Sequence, residues 1–128
     1  MDQKLLKKLK KDFSKLAKDP EILAILLYGS HARGEASSRS DIDICIVAPK
    51  TKDQVELLRK AWREVGGKYD LWLFEELPLY IQAEIIDTHK VVYCKDLPEL
   101  FEYFYPYRKR IAEFRYRQKM ALGDGLDS

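Results

Sequence analysis

The chain has 128 residues, 46% of them hydrophobic and 34% charged, and a formal net charge of +2. This is the size and apolar content of one ordinary domain built on one core, and the small net charge excludes a protein that coats nucleic acid by bulk electrostatics. No apolar run approaches the roughly 20 residues of a membrane helix, and the start, Met1-Asp2-Gln3-Lys4, lacks a signal-peptide core, so a soluble cytoplasmic protein is expected.

Leu5, Leu6, Leu9, Phe13, Leu16 and Ala17 recur at three- and four-residue spacing with lysines between them, which predicts an amphipathic helix over 2–18 ended by Asp19-Pro20. The lysine face is read as solvated. Ile22 to Tyr28 is a continuous apolar run, as expected of a strand buried on both faces. Gly29-Ser30 ends it, residues 31–36 make a turn or two of helix interrupted by Gly34, and 37–40 form a loop. A second strand is expected from Asp41 to Ala48, stopped by Pro49.

Thr51 and Gln54 have the spacing of a capping box for a helix through Val55, Leu58, Ala61, Trp62 and Val65, with Trp62 as core filler and Gly66-Gly67 as the stop. A third strand, 68–74, places Asp70, Trp72 and Phe74 on one face and Leu71 and Leu73 on the other. Pro78 suits the first turn of a helix over 77–87, His89 lies in a solvent loop, and Val91 to Cys94 make a fourth strand. The segment 97–119 has helical spacing, with Pro106 kinking or splitting it, and its second half crowds Arg108, Lys109, Arg110, Arg115, Arg117 and Lys119. A solvated face is the plainer reading of that cluster, and contact with an acidic protein or nucleic acid is the alternative. Residues 1–122 are expected to form the domain, with 123–128 a frayed tail. Cys45 and Cys94 each lie in an apolar stretch without a Cys or His at ligand spacing, as expected of reduced core thiols.

The chemistry concentrates in Gly29 to Asp43, GSHARGEASSRSDID. Strand alternation sends Ile42, Ile44 and Ile46 to one face and Asp41 and Asp43 to the other, with Cα atoms about 6.7 Å apart. Two like charges so placed repel, and aspartate is disfavoured in strands, so a divalent metal supplies the reason for the pair. The alternative is that both merely solvate the start of an edge strand. The turn Gly29-Ser30, between a buried strand and a helical turn, points amides and a hydroxyl at a phosphate-sized anion. Read alone, Ser30 could as well be a helix cap. Arg33 can add positive charge there or serve as an ion-pair partner, and Ser40 can tie the loop to the aspartates or be an ordinary turn residue. His31 has no base or nucleophile partner and is not read as catalytic.

Gly29-Ser30, ten intervening residues and Asp41-Ile42-Asp43 resemble the signature of the DNA polymerase beta-like nucleotidyltransferase superfamily. With Ala32-Arg33-Gly34 and Ser40, the string is similar to the minimal nucleotidyltransferase branch that includes MntA-type antitoxins encoded beside HEPN-domain toxins. The resemblance implies an α/β (α+β) nucleotidyltransferase fold with a small mixed four-stranded sheet flanked by helices. It also implies transfer of a nucleoside monophosphate from ATP or another NTP to a hydroxyl, releasing pyrophosphate. In that family a later strand supplies a third carboxylate; Asp70 is the candidate, with Glu75 and Glu76 as rivals. Asp41, Asp43 and Asp70 would then hold two Mg²⁺ ions, Asp70 would also take the hydroxyl proton, and Gly29, Ser30, Arg33 and Ser40 would form the nucleotide-binding side.

The partners implied are an NTP and a HEPN-domain toxin, with no membrane and no nucleic acid, and with a homo-oligomer left open. Two other readings stand beside this one: a docking module that neutralises its partner without chemistry, and nucleotidyl transfer to a nucleic acid or small molecule.

Overall fold

In the computed structural model, which describes residues 3–123, five helices surround a four-stranded sheet. The elements in chain order are α1 (Gln3–Asp12), β1 (Ala24–Tyr28), α2 (Ser30–Arg33), β2 (Asp43–Val47), α3 (Gln54–Val65), β3 (Asp70–Leu73), α4 (Leu79–Thr88), β4 (Lys90–Cys94) and α5 (Leu97–Leu122). The sheet order is β3-β2-β1-β4; β1 runs antiparallel to β2 and β4, and β2 runs parallel to β3. The expected small mixed sheet is therefore present.

Side-chain alternation divides the apolar residues between two cores. Ile25, Leu27, Ile44, Ile46, Leu71 and Leu73 face α1 and α3, whereas Leu26, Cys45 and Val47 face α4 and α5. Central β1 is buried on both sides, which is why it reads as an unbroken apolar run. Gln82, buried on α4, donates from Nε2 to the Phe74 carbonyl at 3.0 Å and so pins that helix to the chain leaving β3.

Several elements differ from the sequence reading. The first helix stops at Asp12, and a separate 3-10 turn, Leu16–Lys18, follows. The Ser14 hydroxyl donates to the Lys11 carbonyl at 2.8 Å, a local bond that competes with helix continuation, and the change of direction leaves both Phe13 and Leu16 buried. The cap of α3 is Asp53, whose carboxylate accepts from the Glu56 amide at 3.0 Å, while Thr51 turns to Glu21. A carboxylate suits the positive helix end better than a hydroxyl does.

Trp62 is 43% exposed, because Leu57, Ala61 and Val65 form the buried stripe of α3. His89 is half-buried, with Nδ1 2.7 Å from the Ile85 carbonyl and its ring against Phe104. Helix α5 runs through Pro106 without splitting. Of the expected frayed tail, Gly123 ends α5 with its amide bonded to the Lys119 carbonyl, and residues 124–128 lie outside the described residues. Cys45 is buried and Cys94 half-buried, both as free thiols. Among the described residues no helix is long and apolar enough to cross a membrane.

Candidate active site

Strand β1 ends at buried Tyr28, and Gly29 turns the chain with φ 75 and ψ −156, backbone angles that only glycine adopts without strain. Helix α2 starts at once, with the Ala32 and Arg33 amides bonded to the Gly29 carbonyl at 3.1 and 3.2 Å, and Gly34 ends it at φ 74. The turn needs a glycine for a second reason: a Cβ here would run into the Asp43 carboxylate. The Gly29 turn and the Asp43 carboxylate are thus in van der Waals contact.

Asp43 opens β2. Its register partners are Tyr28 on β1 and Asp70 on β3, so the strand order itself brings residues 28, 43 and 70 side by side. Asp41 lies two residues before the strand and is exposed rather than part of the ladder. Half-burial, followed by the charges of Asp70 and Asp41, raises the Asp43 carboxyl to about 6. Burial, then the charges of Asp43, Cys45, Asp70 and Glu84, push the Tyr28 phenol well above its usual range. Trp72, next out on the Asp70 face of edge strand β3, is 41% exposed. Phe74 does not join it as a pocket wall: it begins a 3-10 turn and is buried against Phe104 and Tyr107. Glu75 and Glu76 lie in that same turn, where Glu75 is bonded by Gln54 and by the Tyr103 hydroxyl, away from the aspartates.

Glu84 on α4 is a fourth acid, which contributes to the shifts of both Asp43 and Tyr28. Sequence reasoning missed it, although it is the one acid in the otherwise uncharged stretch Leu79 to Ile86, which was a usable signal. Arg33 bridges Glu35 at 3.0 Å and Glu84 at 2.8 Å, and these bonds strengthen its hold on its proton. Ser40 shapes the returning loop: its hydroxyl accepts from the Ser37 amide at 2.9 Å, and the His31 Nε2 lies 3.2 Å from its carbonyl oxygen. The loop 30–40 is therefore held closed by His31 and Ser40 together.

Among the described residues no three His, Cys, Asp or Glu side chains converge closely enough to hold a metal ion by themselves. Nor does any ion pair among those residues involve Asp41, Asp43 or Asp70. Asp43 and Asp70, neighbouring hard oxygen donors without an ion-pair partner among the described residues, have the chemistry that suits a divalent cation. Asp41 is exposed and Asp43 and Asp70 are half-buried, and a groove of about 390 Å³ lies apart from them, between α4 and α5.

Residues 7–97 match the family model described as polymerase beta, nucleotidyltransferase. A Methanocaldococcus jannaschii protein named as a candidate protein adenylyltransferase is 49% identical over 100 residues, covering 77% of this chain and 78% of the relative. A second from that organism, named likewise, is 34% identical over 70 residues, covering 52% and 69%. Among solved structures, a toxin-antitoxin crystal structure with AMP-PNP matches with TM-score 0.60 and 24% identity over 93% of this chain and 98% of that one. The complex of tri-AMPylated Shewanella oneidensis HEPN toxin with MNT antitoxin matches with TM-score 0.60 and 20% identity over 96% and 99%. With its fold, its Gly-Ser turn against Asp43 and its sequence likeness in agreement, the chain is a nucleotidyltransferase and belongs to the polymerase beta nucleotidyltransferase family.

Proposed function

We propose that this nucleotidyltransferase moves AMP from ATP to a hydroxyl of a partner protein, releasing pyrophosphate, and that the partner is a HEPN-domain toxin. The observation that supports the reading is the register pair Asp43 and Asp70 with Gly29 closed against Asp43, because a turn suited to a phosphate then adjoins two carboxylates suited to a cation. The likeness to candidate protein adenylyltransferases supports a protein acceptor, and the HEPN toxin in a matched complex, AMP-modified there, supports the choice of partner.

Asp41, Asp43 and Asp70 would hold two Mg²⁺ ions, which when bound neutralise charge on the attacking and leaving oxygens. The Gly29 and Ser30 amides and the Ser30 hydroxyl hold the β- and γ-phosphates, which lines up the α-phosphorus for in-line attack. Asp70 takes the proton of the acceptor hydroxyl as its oxygen bonds to the α-phosphorus and the bond to pyrophosphate breaks. Arg33 adds charge on the pyrophosphate side once it gives up Glu84, and Ser40 with His31 keeps the loop in place.

The exposed, basic second half of α5 favours a second reading, neutralisation by docking alone. Combining Asp41→Ala with Asp43→Ala separates the two. Loss of neutralisation with the complex retained is the expected result; neutralisation by the double variant would sink the catalytic reading.

A further inference from the structure

Helix α5 outruns the fold. Ile111 is its last buried residue, and in the three turns beyond it, about 16 Å of helix, every residue is exposed among the described residues. Three unpacked turns are marginal in water on their own. Yet they carry Phe114, Tyr116, Met120 and Leu122 at 53 to 64% exposure, more apolar surface than a free helix end needs. Phe114 and Ile111, with Leu79, Tyr80 and Ala83 of α4, line the groove of about 390 Å³.

The α5 side of this groove is basic, with Arg115 in its lining. Between Arg108 and Lys119 there are six arginines and lysines against one glutamate, in a chain whose net charge is only +2. Arg110 lies over the Tyr107 ring along α5, whereas Arg115 reaches across to Asp87 of α4 at 3.6 Å. The α4 wall of the groove leads toward the carboxylates without reaching them: Glu84, one turn beyond groove-lining Tyr80, holds Arg33 and acts on the Asp43 carboxyl. Resting on the reading that the acceptor is a protein, we propose that the α4–α5 groove is the docking surface for it, and that the segment it takes is an acidic amphipathic helix. Apolar residues of that helix fill the groove and its carboxylates meet the α5 ridge. The acceptor's neighbouring surface then faces Asp41, Asp43 and Asp70 across Glu84. An acidic segment is repelled by the active-site acids and attracted by α5, so the two fields fix its orientation.

The test uses a labelled 20-residue helical peptide with a leucine stripe flanked by glutamates, the same stripe flanked by lysines, and a 20-nucleotide single-stranded RNA. Fluorescence anisotropy is read with wild-type protein, Phe114→Asp, and the pair Arg108→Glu with Arg117→Glu. The glutamate peptide should bind, should weaken with salt, and should lose about ten-fold in affinity in each variant, while the lysine peptide and the RNA should not bind. Equal binding by the variants, no binding of the glutamate peptide, or preference for the lysine peptide or RNA would overturn the proposal. Calorimetry with Mg²⁺ and ATP on the same proteins keeps the two readings apart. A wild-type protein that binds the peptide and not ATP contradicts the nucleotide reading and upholds the groove; one that binds ATP and not the peptide overturns the groove alone.

Discussion

Asp43 and Asp70 stand opposite each other in the parallel pairing of β2 with β3, two carboxylates in one register position with no ion pair to either among the described residues. Such an arrangement costs stability and is useful when a cation and a triphosphate arrive. Asp43→Asn keeps the shape and removes the repulsion. The variant should melt a few degrees higher than wild type at pH 8 without metal, and should lose roughly 10²- to 10³-fold in nucleotidyl transfer. Thermal melts and initial rates on one preparation check both halves, and an active variant would remove Asp43 from the chemistry.

The same pair sets a pH dependence. Unfolded, this carboxyl titrates near 3.8; in the fold it titrates at about 6. Between those values the folded chain holds a proton that the unfolded chain has released, so this group's contribution to stability falls as pH rises from about 4 to about 6 and is level above that. Urea denaturation of the metal-free protein should show Asp43→Asn and wild type close at pH 4 and furthest apart above pH 6. A gap that shrinks as pH rises would contradict the assignment.

How much of this was readable beforehand follows from which forces act locally. The apolar run to Tyr28, the alternation at Ile42, Ile44 and Ile46, and the Gly-Ser turn are nearest-neighbour patterns, and they placed β1, β2 and the bend between them. The pairing of Asp43 with Asp70 depends on β3 lying beside β2; the resemblance supplied a carboxylate on a later strand, and neither it nor periodicity supplied that neighbourhood. Glu84 comes from α4, through a contact of long sequence separation, and was missed for that reason. Trp62 was misplaced because Leu58 and Val65 stand four and three residues from it, yet the sheet is reached by Leu57, Ala61 and Val65. The N-cap of α3 was misplaced because Thr51-x-x-Gln54 and Asp53-x-x-Glu56 both fit the spacing rule and only the structure shows which is used.

Gly29→Ala tests the contact between turn and carboxylate. The positive φ and the obstruction by Asp43 together should cost about 1–3 kcal/mol of stability and displace the carboxylate. Nucleotide affinity should fall with it. Combining Gly29→Ala with Asp43→Gly, which removes the obstructing side chain, should recover part of the stability and none of the activity; no recovery would mean that the contact is not what requires glycine.

Arg33 and Glu84 give a signed pair of outcomes. If the Arg33 guanidinium must leave Glu84 to serve the pyrophosphate side, Glu84→Gln should tighten NTP binding about two- to five-fold, and Arg33→Ala should weaken it by a similar factor. Equilibrium binding of a fluorescent ATP analogue reads both. Weaker binding in Glu84→Gln would indicate that Glu84 positions Arg33 rather than competing for it.

The central claim is transfer of the α-phosphoryl nucleotide to a protein hydroxyl. The direct measurement incubates the protein with Mg²⁺, a HEPN-domain protein and ATP labelled at either the α- or the γ-phosphorus, and asks which label becomes covalently attached. Label on the HEPN-domain protein from the α-position alone, absent with Asp41→Ala and Asp43→Ala combined, is the predicted result; attached γ-label would mean phosphoryl transfer and contradict the account.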